Sequence, residues 1–247
     1  MKWLYLLVNV FTILIPFIYS FHPKLKFHKT WKAFFPAMLI VGLFFVLWDA
    51  LFTSMGVWGF NERYITGIRF MWLPLEEVLF FVCIPYACVF TYHCLTLFMR
   101  HRGMKENKWL QKWVTIVLIG VMCVAAVLYA NRWYSVTTFA LLAVLLFYLQ
   151  FVERVKWLNA FYLIYAVLLI PFVIVNGILT GTGIEEEVVW YNAAEHMGYR
   201  IGTIPVEDVF YGMALILMNV ALYKFLLKKQ MRETGLKIKK HEQISVA

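Results

Sequence analysis

Arg69-Phe70-Met71-Trp72-Leu73-Pro74-Leu75-Glu76-Glu77-Val78-Leu79-Phe80 decides how this chain is read, because it occurs twice. Its second form is Arg200-Ile201-Gly202-Thr203-Ile204-Pro205-Val206-Glu207-Asp208-Val209-Phe210-Tyr211. Each form puts a proline and two adjacent carboxylates at the mouth of a long apolar run. Proline suits the first helical position, where its φ is preset and an N–H would be unpaired anyway. Carboxylates in the first turn sit at the positive end of the helix dipole. Each form therefore predicts a helix start at the proline with an acidic pair at its tip.

The likeness extends upstream. Asn61, Gly67, Arg69 and Pro74 recur at identical spacing as Asn192, Gly198, Arg200 and Pro205. Asp49 and Thr53 recur as Asn176 and Thr180 after a four-residue shift. The halves differ nearly everywhere else. What they share is polar and clustered, which packing alone does not require.

Composition names the solvent. The 247 residues are 63% hydrophobic and only 15% charged, against about 45–50% and about 25% in soluble domains. Apolar runs near 3–20, 33–52, 74–98, 109–130, 134–152, 157–178 and 204–227 approach the ~20 residues of a membrane span. The expected fold is all-α, a polytopic membrane protein with seven transmembrane helices. The first run is too long for a signal peptide, and Ile18-Tyr19-Ser20 is a poor cleavage site. The net charge of +9 would suggest nucleic acid in a soluble protein. Here the basic residues flank apolar runs as membrane anchors, so no nucleic-acid partner is expected and the partner is membrane lipid.

Those basic residues set an orientation. Eighteen lie on one side: four from Lys24 to Lys32, five from Arg100 to Lys112, Arg154 and Lys156, and seven from Lys224 onward. Five lie on the other: Lys2, Arg63, Arg69, Arg132 and Arg200. The positive-inside rule puts the N-terminus outside, the C-terminus in the cytoplasm and both acidic motifs toward the outer face. Helices 1–3 and 5–7 are an even number of spans apart, so the repeats run parallel. The expected divisions are 1–98, a connector at 99–133 holding helix 4, 134–227, and a basic tail at 228–247. At the level of architecture alone this resembles seven-helix rhodopsins.

Ionisable groups in membrane segments are costly and usually functional. Capping explains one acidic pair, but a second pair in matched Asn, Gly, Arg and Pro context argues for chemistry. Adjacent residues on a helix point about 100° apart, so one acid of each pair faces the bundle better than the other. Glu76 and Glu207 are the first choice as catalytic, with Glu77 and Asp208 close behind. Arg69 and Arg200 either orient the carboxylates or anchor at headgroups. The aromatics beside the motifs (Trp58, Trp72, Trp190, Tyr191, Phe80, Phe210 and Tyr211) offer π faces to a carbocation. His93 reads as a bundle-facing polar residue, and Glu185-Glu186-Glu187 as a solvated loop. The four cysteines fall in apolar runs without metal or redox spacing. No nucleotide, flavin or metal motif is present, so no cofactor and no metal are expected.

Pro74-Leu75-Glu76-Glu77-x-x-Phe80 and Pro205-Val206-Glu207-Asp208-x-Phe210-Tyr211 resemble the signature of the lycopene cyclase domain family. Asp49-x-x-Phe52-Thr53, Gly56-Val57-Trp58-Gly59-Phe60-Asn61, Asn176-Gly177-x-Leu179-Thr180 and Gly198-Tyr199-Arg200-Ile201 support the resemblance, over about residues 1–227. The chain looks like the family's fused two-unit form. The resemblance implies a carotenoid-pathway isomerase (an intramolecular lyase) that closes the open ψ-ends of lycopene into rings without redox change. It leaves ring type and chain length open, with a β ring the expected product, and it implies a hydrophobic carotenoid as partner, other carotenoid enzymes as neighbours, and a bacterial cytoplasmic membrane. It implies Glu76, Glu77, Glu207 and Asp208 as catalytic residues. Asp49, Thr53, Asn61, Arg69, Pro74, Asn176, Thr180, Asn192, Arg200 and Pro205 are implied as supporting residues. The rivals are a cyclase-elongase for longer carotenoids, disfavoured by the missing Asp-rich diphosphate motif, and a transporter, disfavoured by acids at helix mouths rather than midway. A retinal receptor needs a lysine in the middle of helix 7, and Lys224 lies at that helix's cytoplasmic end.

Overall fold

The computed structural model describes residues 2–103 and 107–245, with side chains through residue 233. Seven α-helices follow in order among the described residues: α1 Leu4–Tyr19, α2 Trp31–Ser54, α3 Leu75–His101, α4 Lys108–Leu128, α5 Trp133–Phe147, α6 Leu158–Leu179 and α7 Val206–Ser245. A 3₁₀ turn, Phe27–Thr30, leads into α2, and a π turn, Tyr148–Val152, extends α5. α7 carries the backbone of the basic tail from 228 as far as Ser245. Lys105, the last two residues, and the side chains beyond 233 lie outside the described residues.

Among the described residues six helical segments are long and apolar enough to cross a membrane, all but the first of the seven expected. α1 has 16 residues, about 24 Å at 1.5 Å per residue, short of a ~30 Å hydrocarbon core. It stops where Ser20 Oγ donates to the Pro16 carbonyl at 2.7 Å. Val117, Val121, Val124 and Leu128 form an exposed stripe along α4. Such a stripe at helical spacing suits lipid, where an aqueous surface would not tolerate it.

The sequence reading missed six short strands: β1 Trp58–Phe60, β2 Arg69–Phe70, β3 Leu73–Pro74, β4 Val189–Tyr191, β5 Arg200–Ile201 and β6 Ile204–Pro205. They are two or three residues long and two of them pair across 130 residues of chain, so no local periodicity announces them. β1 and β4 pair antiparallel, Trp58 opposite Tyr191, Gly59 opposite Trp190 and Phe60 opposite Val189. β2–β3 and β5–β6 are hairpins that pair Arg69 with Pro74 and Arg200 with Pro205. The prolines are thus the extended residue before each helix, not its first turn: Pro74 has φ −66° and ψ 152°.

The same hydrogen bonds recur 131 residues apart. Asn61 N donates to the Val188 carbonyl and Asn192 N to the Val57 carbonyl, both at 2.9 Å. The Asn61 and Asn192 side chains each accept a backbone N–H two residues on, both at 3.0 Å. Gly67 and Gly198 sit at φ +90° and +86°, a conformation that side chains rarely adopt. Arg69 donates to the Trp72 carbonyl and Arg200 to the Thr203 carbonyl, closing each hairpin. The shared Asn, Gly, Arg and Pro therefore build one loop twice, and β1–β4 joins the two copies into a cap over the helices.

Candidate active site

Beneath that cap lies a cavity of about 680 Å³, with walls from α1, α3, α6 and α7. Trp58 and Phe60 of β1 and Val189 and Tyr191 of β4 roof it. Below the roof stand three buried carboxyl residues, Asp49 from α2, Glu77 from α3 and Asp208 from α7. The walls beyond are almost wholly apolar. Leu7, Phe11 and Ile15 of α1 and Ile174 of α6 line the cavity and are also exposed on the outside. The cavity therefore opens sideways between α1 and α6, toward lipid.

The adjacent acids have separated. Glu77 and Asp208 line the cavity, whereas Glu76 and Glu207 turn into the cap and are fully buried there. Glu76 Oε1 accepts the Thr66 backbone N–H at 2.7 Å, and Glu207 Oε1 accepts that of Met197 at 2.6 Å. Ser135 Oγ also donates to Glu207 Oε1, at 2.6 Å. The first acid of each pair thus pins the loop to the helix tip. The second faces the space, as the 100° step between neighbours allows.

The two cavity acids are held differently. Tyr5 donates its hydroxyl to Glu77 Oε2, leaving Oε1 as the oxygen that can carry a proton. Asp208 takes three donors: the Tyr134 hydroxyl on Oδ1, and on Oδ2 the Tyr191 hydroxyl at 3.0 Å and the Asn176 amide at 3.4 Å. Burial and the neighbouring carboxylates hold the Tyr191 phenol well above its ordinary range, so it stays a donor. Asp49, which stands where the second half has Asn176, lies within electrostatic reach of Glu77.

An aromatic box surrounds Asp208. Trp58 meets Tyr134 edge-on at 5.0 Å, Tyr134 stacks on Tyr191 at 5.8 Å, and Tyr211 stands 6.2 Å from Tyr134. Of the aromatics singled out from sequence, Trp58, Phe80, Tyr191 and Tyr211 line the cavity. Trp72 and Trp190 are exposed on the cap, and Phe210 packs on Phe139 instead.

The supporting residues divide likewise. Asp49, Asn176 and Thr180 line the cavity. Asn61, Asn192, Pro74 and Pro205 build the cap, and Thr53 lies at the end of α2. Arg69 and Arg200 brace hairpin carbonyls, and Arg69 also pairs with Glu62. Sequence reasoning missed Tyr5 and Tyr134. Their signal was present in the matched runs Tyr5-x-x-x-Asn9 and Tyr134-x-x-x-Thr138 at the mouths of α1 and α5. At the far end of α3, away from the acids, His93 Nε2 donates to the Leu25 carbonyl oxygen at 2.9 Å. Glu185 and Glu186 pair with Arg63 on the exposed cap.

His196 is buried in the cap. Its Nδ1 accepts the Gly198 N–H at 3.0 Å, so the neutral ring carries its proton on Nε2. Burial pushes its pKa down, Glu207 opposes, and Arg200 and Arg132 add to the depression.

Fold and site together define a helical membrane protein with carboxylates and aromatic faces at the roofed end of a lipid-open apolar cavity. A family model for lycopene cyclase matches residues 2–95 and 131–226. The chain belongs to the lycopene cyclase family. No curated protein and no solved structure matches it. Membership supports a carotenoid cyclase role on a hydrophobic carotenoid substrate at a membrane.

Proposed function

We propose that this chain closes the ψ-ends of lycopene into β-rings by proton-initiated, non-redox cyclisation, an isomerisation within the substrate. The observation that carries the reading is one cavity presenting Glu77 from one half and Asp208 from the other at its roofed end, with an apolar length open to lipid. A polyene slides in from the bilayer with its end beneath β1 and β4.

Glu77 is the proton donor. Tyr5 occupies its Oε2, and the Oε1 proton goes to the terminal alkene, leaving a tertiary cation. The neighbouring double bond supplies its electron pair to that cation and closes the six-membered ring. The charge moves to a ring carbon beside the faces of Trp58, Tyr134, Tyr191 and Tyr211. Asp208 is the base. Three donors converging on its two oxygens favour its anion, which stabilises the cation and then removes a ring proton. One proton enters and one leaves, so no electrons are needed from outside. Exchange with solvent returns the proton to Glu77. Glu76 and Glu207 act as positioning residues that hold the cap. The reading includes α1 as a seventh span, parallel repeats and an outside N-terminus, supported by the asymmetry of basic residues.

Expression in lycopene-accumulating cells with pigment analysis tests the activity. Rings of the β type are expected. Unchanged lycopene beside correctly inserted protein refutes it.

A further inference from the structure

The two halves are alike at the cap but unlike at the cavity. α2 matches α6 at an offset of 127 residues, and α3 matches α7 at 131, as Asp49/Asn176 and Glu77/Asp208 show. By those offsets Val175 on the cavity wall corresponds to Trp48, and Gly212 to Phe81. On the cavity side, the bare Cα of Gly212 faces α6: an added Cβ would lie 3.3 Å from the Tyr165 hydroxyl oxygen and 3.5 Å from Phe172. On the matching side the space is filled. Phe81 is buried and stacks on Phe45 at 6.2 Å, and Phe45 stacks on Trp48 at 6.1 Å. Trp48 in turn meets Tyr211 at 6.1 Å.

We infer that the fold holds open one reaction chamber where its two-fold plan would allow a pair. Gly212 and Val175 are the residues that keep that chamber open, so each visit closes one end of a carotenoid. This rests on the cyclase reading above. Both Glu77 and Asp208 serve the single chamber, so among the described residues no second cavity-lining acid pair awaits the far end of the substrate. The chamber runs beside α1 from Leu4 to Pro16, about 18 Å of helix, and takes one arm of a polyene while the other stays in lipid. A second ring then requires the singly closed product to withdraw, turn and return other end first.

The test uses purified full-length protein in lipid vesicles loaded with lycopene in large excess. The expected time course shows free monocyclic product rising above the molar amount of protein before any bicyclic product accumulates. Bicyclic product from the first turnovers, with monocyclic product never exceeding the protein, overturns the inference. Val175→Trp transplants the filled half's side chain. Once shown to be inserted and monodisperse, it should lose about 100-fold in ring formation at either end. Wild-type rates in that variant overturn the role of Val175. Gly212→Ala, a milder change, should slow closure while Gly42→Ala, on the filled side, leaves it unchanged. Equal effects of the two overturn the role of Gly212. No ring of any kind from the wild-type protein would instead refute the cyclase reading, and the inference with it.

Discussion

Glu207 and Asp208 are neighbours in sequence, and replacing each by its amide should produce opposite failures. Glu207 is wholly buried, and its Oε1 accepts the Met197 N–H and the Ser135 hydroxyl, both at 2.6 Å. A hydrogen bond to a charged group contributes about 1.5–3 kcal/mol and a neutral one about 0.5–1.5, so Glu207→Gln forfeits about 2 kcal/mol over two bonds. Its new amide also sets a donor where Oε2 has no partner among the described residues, a further cost of about 1–3 kcal/mol. The part that falls on the Met197 bond alone, about 1 kcal/mol, speeds opening of that bond roughly fivefold, and the two bonds together, about 2 kcal/mol, speed opening of the 192–205 segment by about 30-fold before the cost of the new amide is added. Hydrogen exchange by mass spectrometry on protein in nanodiscs reads this directly. Ring formation per inserted molecule should persist, lowered by about tenfold or less on the scale of a small positioning error. Asp208→Asn should do the reverse, leaving exchange in 192–205 near wild type and ring formation at background. Loss of cyclisation in Glu207→Gln with unchanged exchange would refute the assignment of Glu207 to the loop.

Gly59 lies under Trp190 at the crossing of β1 and β4, where an added Cβ would fall 2.3 Å from the indole. Gly59→Ala should lower the thermal midpoint through about 1–3 kcal/mol of overpacking, and Trp190→Ser in the same chain should restore it. For His196, burial depresses the folded pKa, so the unfolded chain binds the proton first as pH falls. Its contribution to stability is complete above the unfolded value of about 6.5 and declines as pH drops below it, and His196→Gln should flatten the decline seen in thermal melts between pH 7 and 5. With the four native cysteines replaced, single cysteines at Glu185 and at Arg102 should label from opposite faces of sealed cells. Labelling from one face contradicts the orientation.

The helices and the two acid pairs were legible because apolar length and exact repetition survive in one dimension. Which acid faces the cavity was not, since Glu76 and Glu77 differ only by a turn of about 100° and the choice depends on where α1 and α6 stand. The Asn, Gly, Arg and Pro shared by both halves looked like chemistry, but Asn61 and Asn192 spend their bonds on the cap. That function is visible only once Val57 and Val188 lie across from them. Tyr5 and Tyr134 were lost among fourteen tyrosines, since nothing local distinguishes a phenol that meets a carboxylate 72 or 74 residues away. The openness of one side could be read only after Gly212 was set against Phe81.

Proton delivery from an exchangeable carboxyl is the central claim, and heavy water tests it most directly. Wild-type protein turning over lycopene in deuterium oxide, without added flavin or nicotinamide, should place one deuterium on each new ring. The label should sit at the carbon next to the gem-dimethyl carbon, where the Glu77 proton arrives. Rings that form with no deuterium at that carbon would contradict the mechanism.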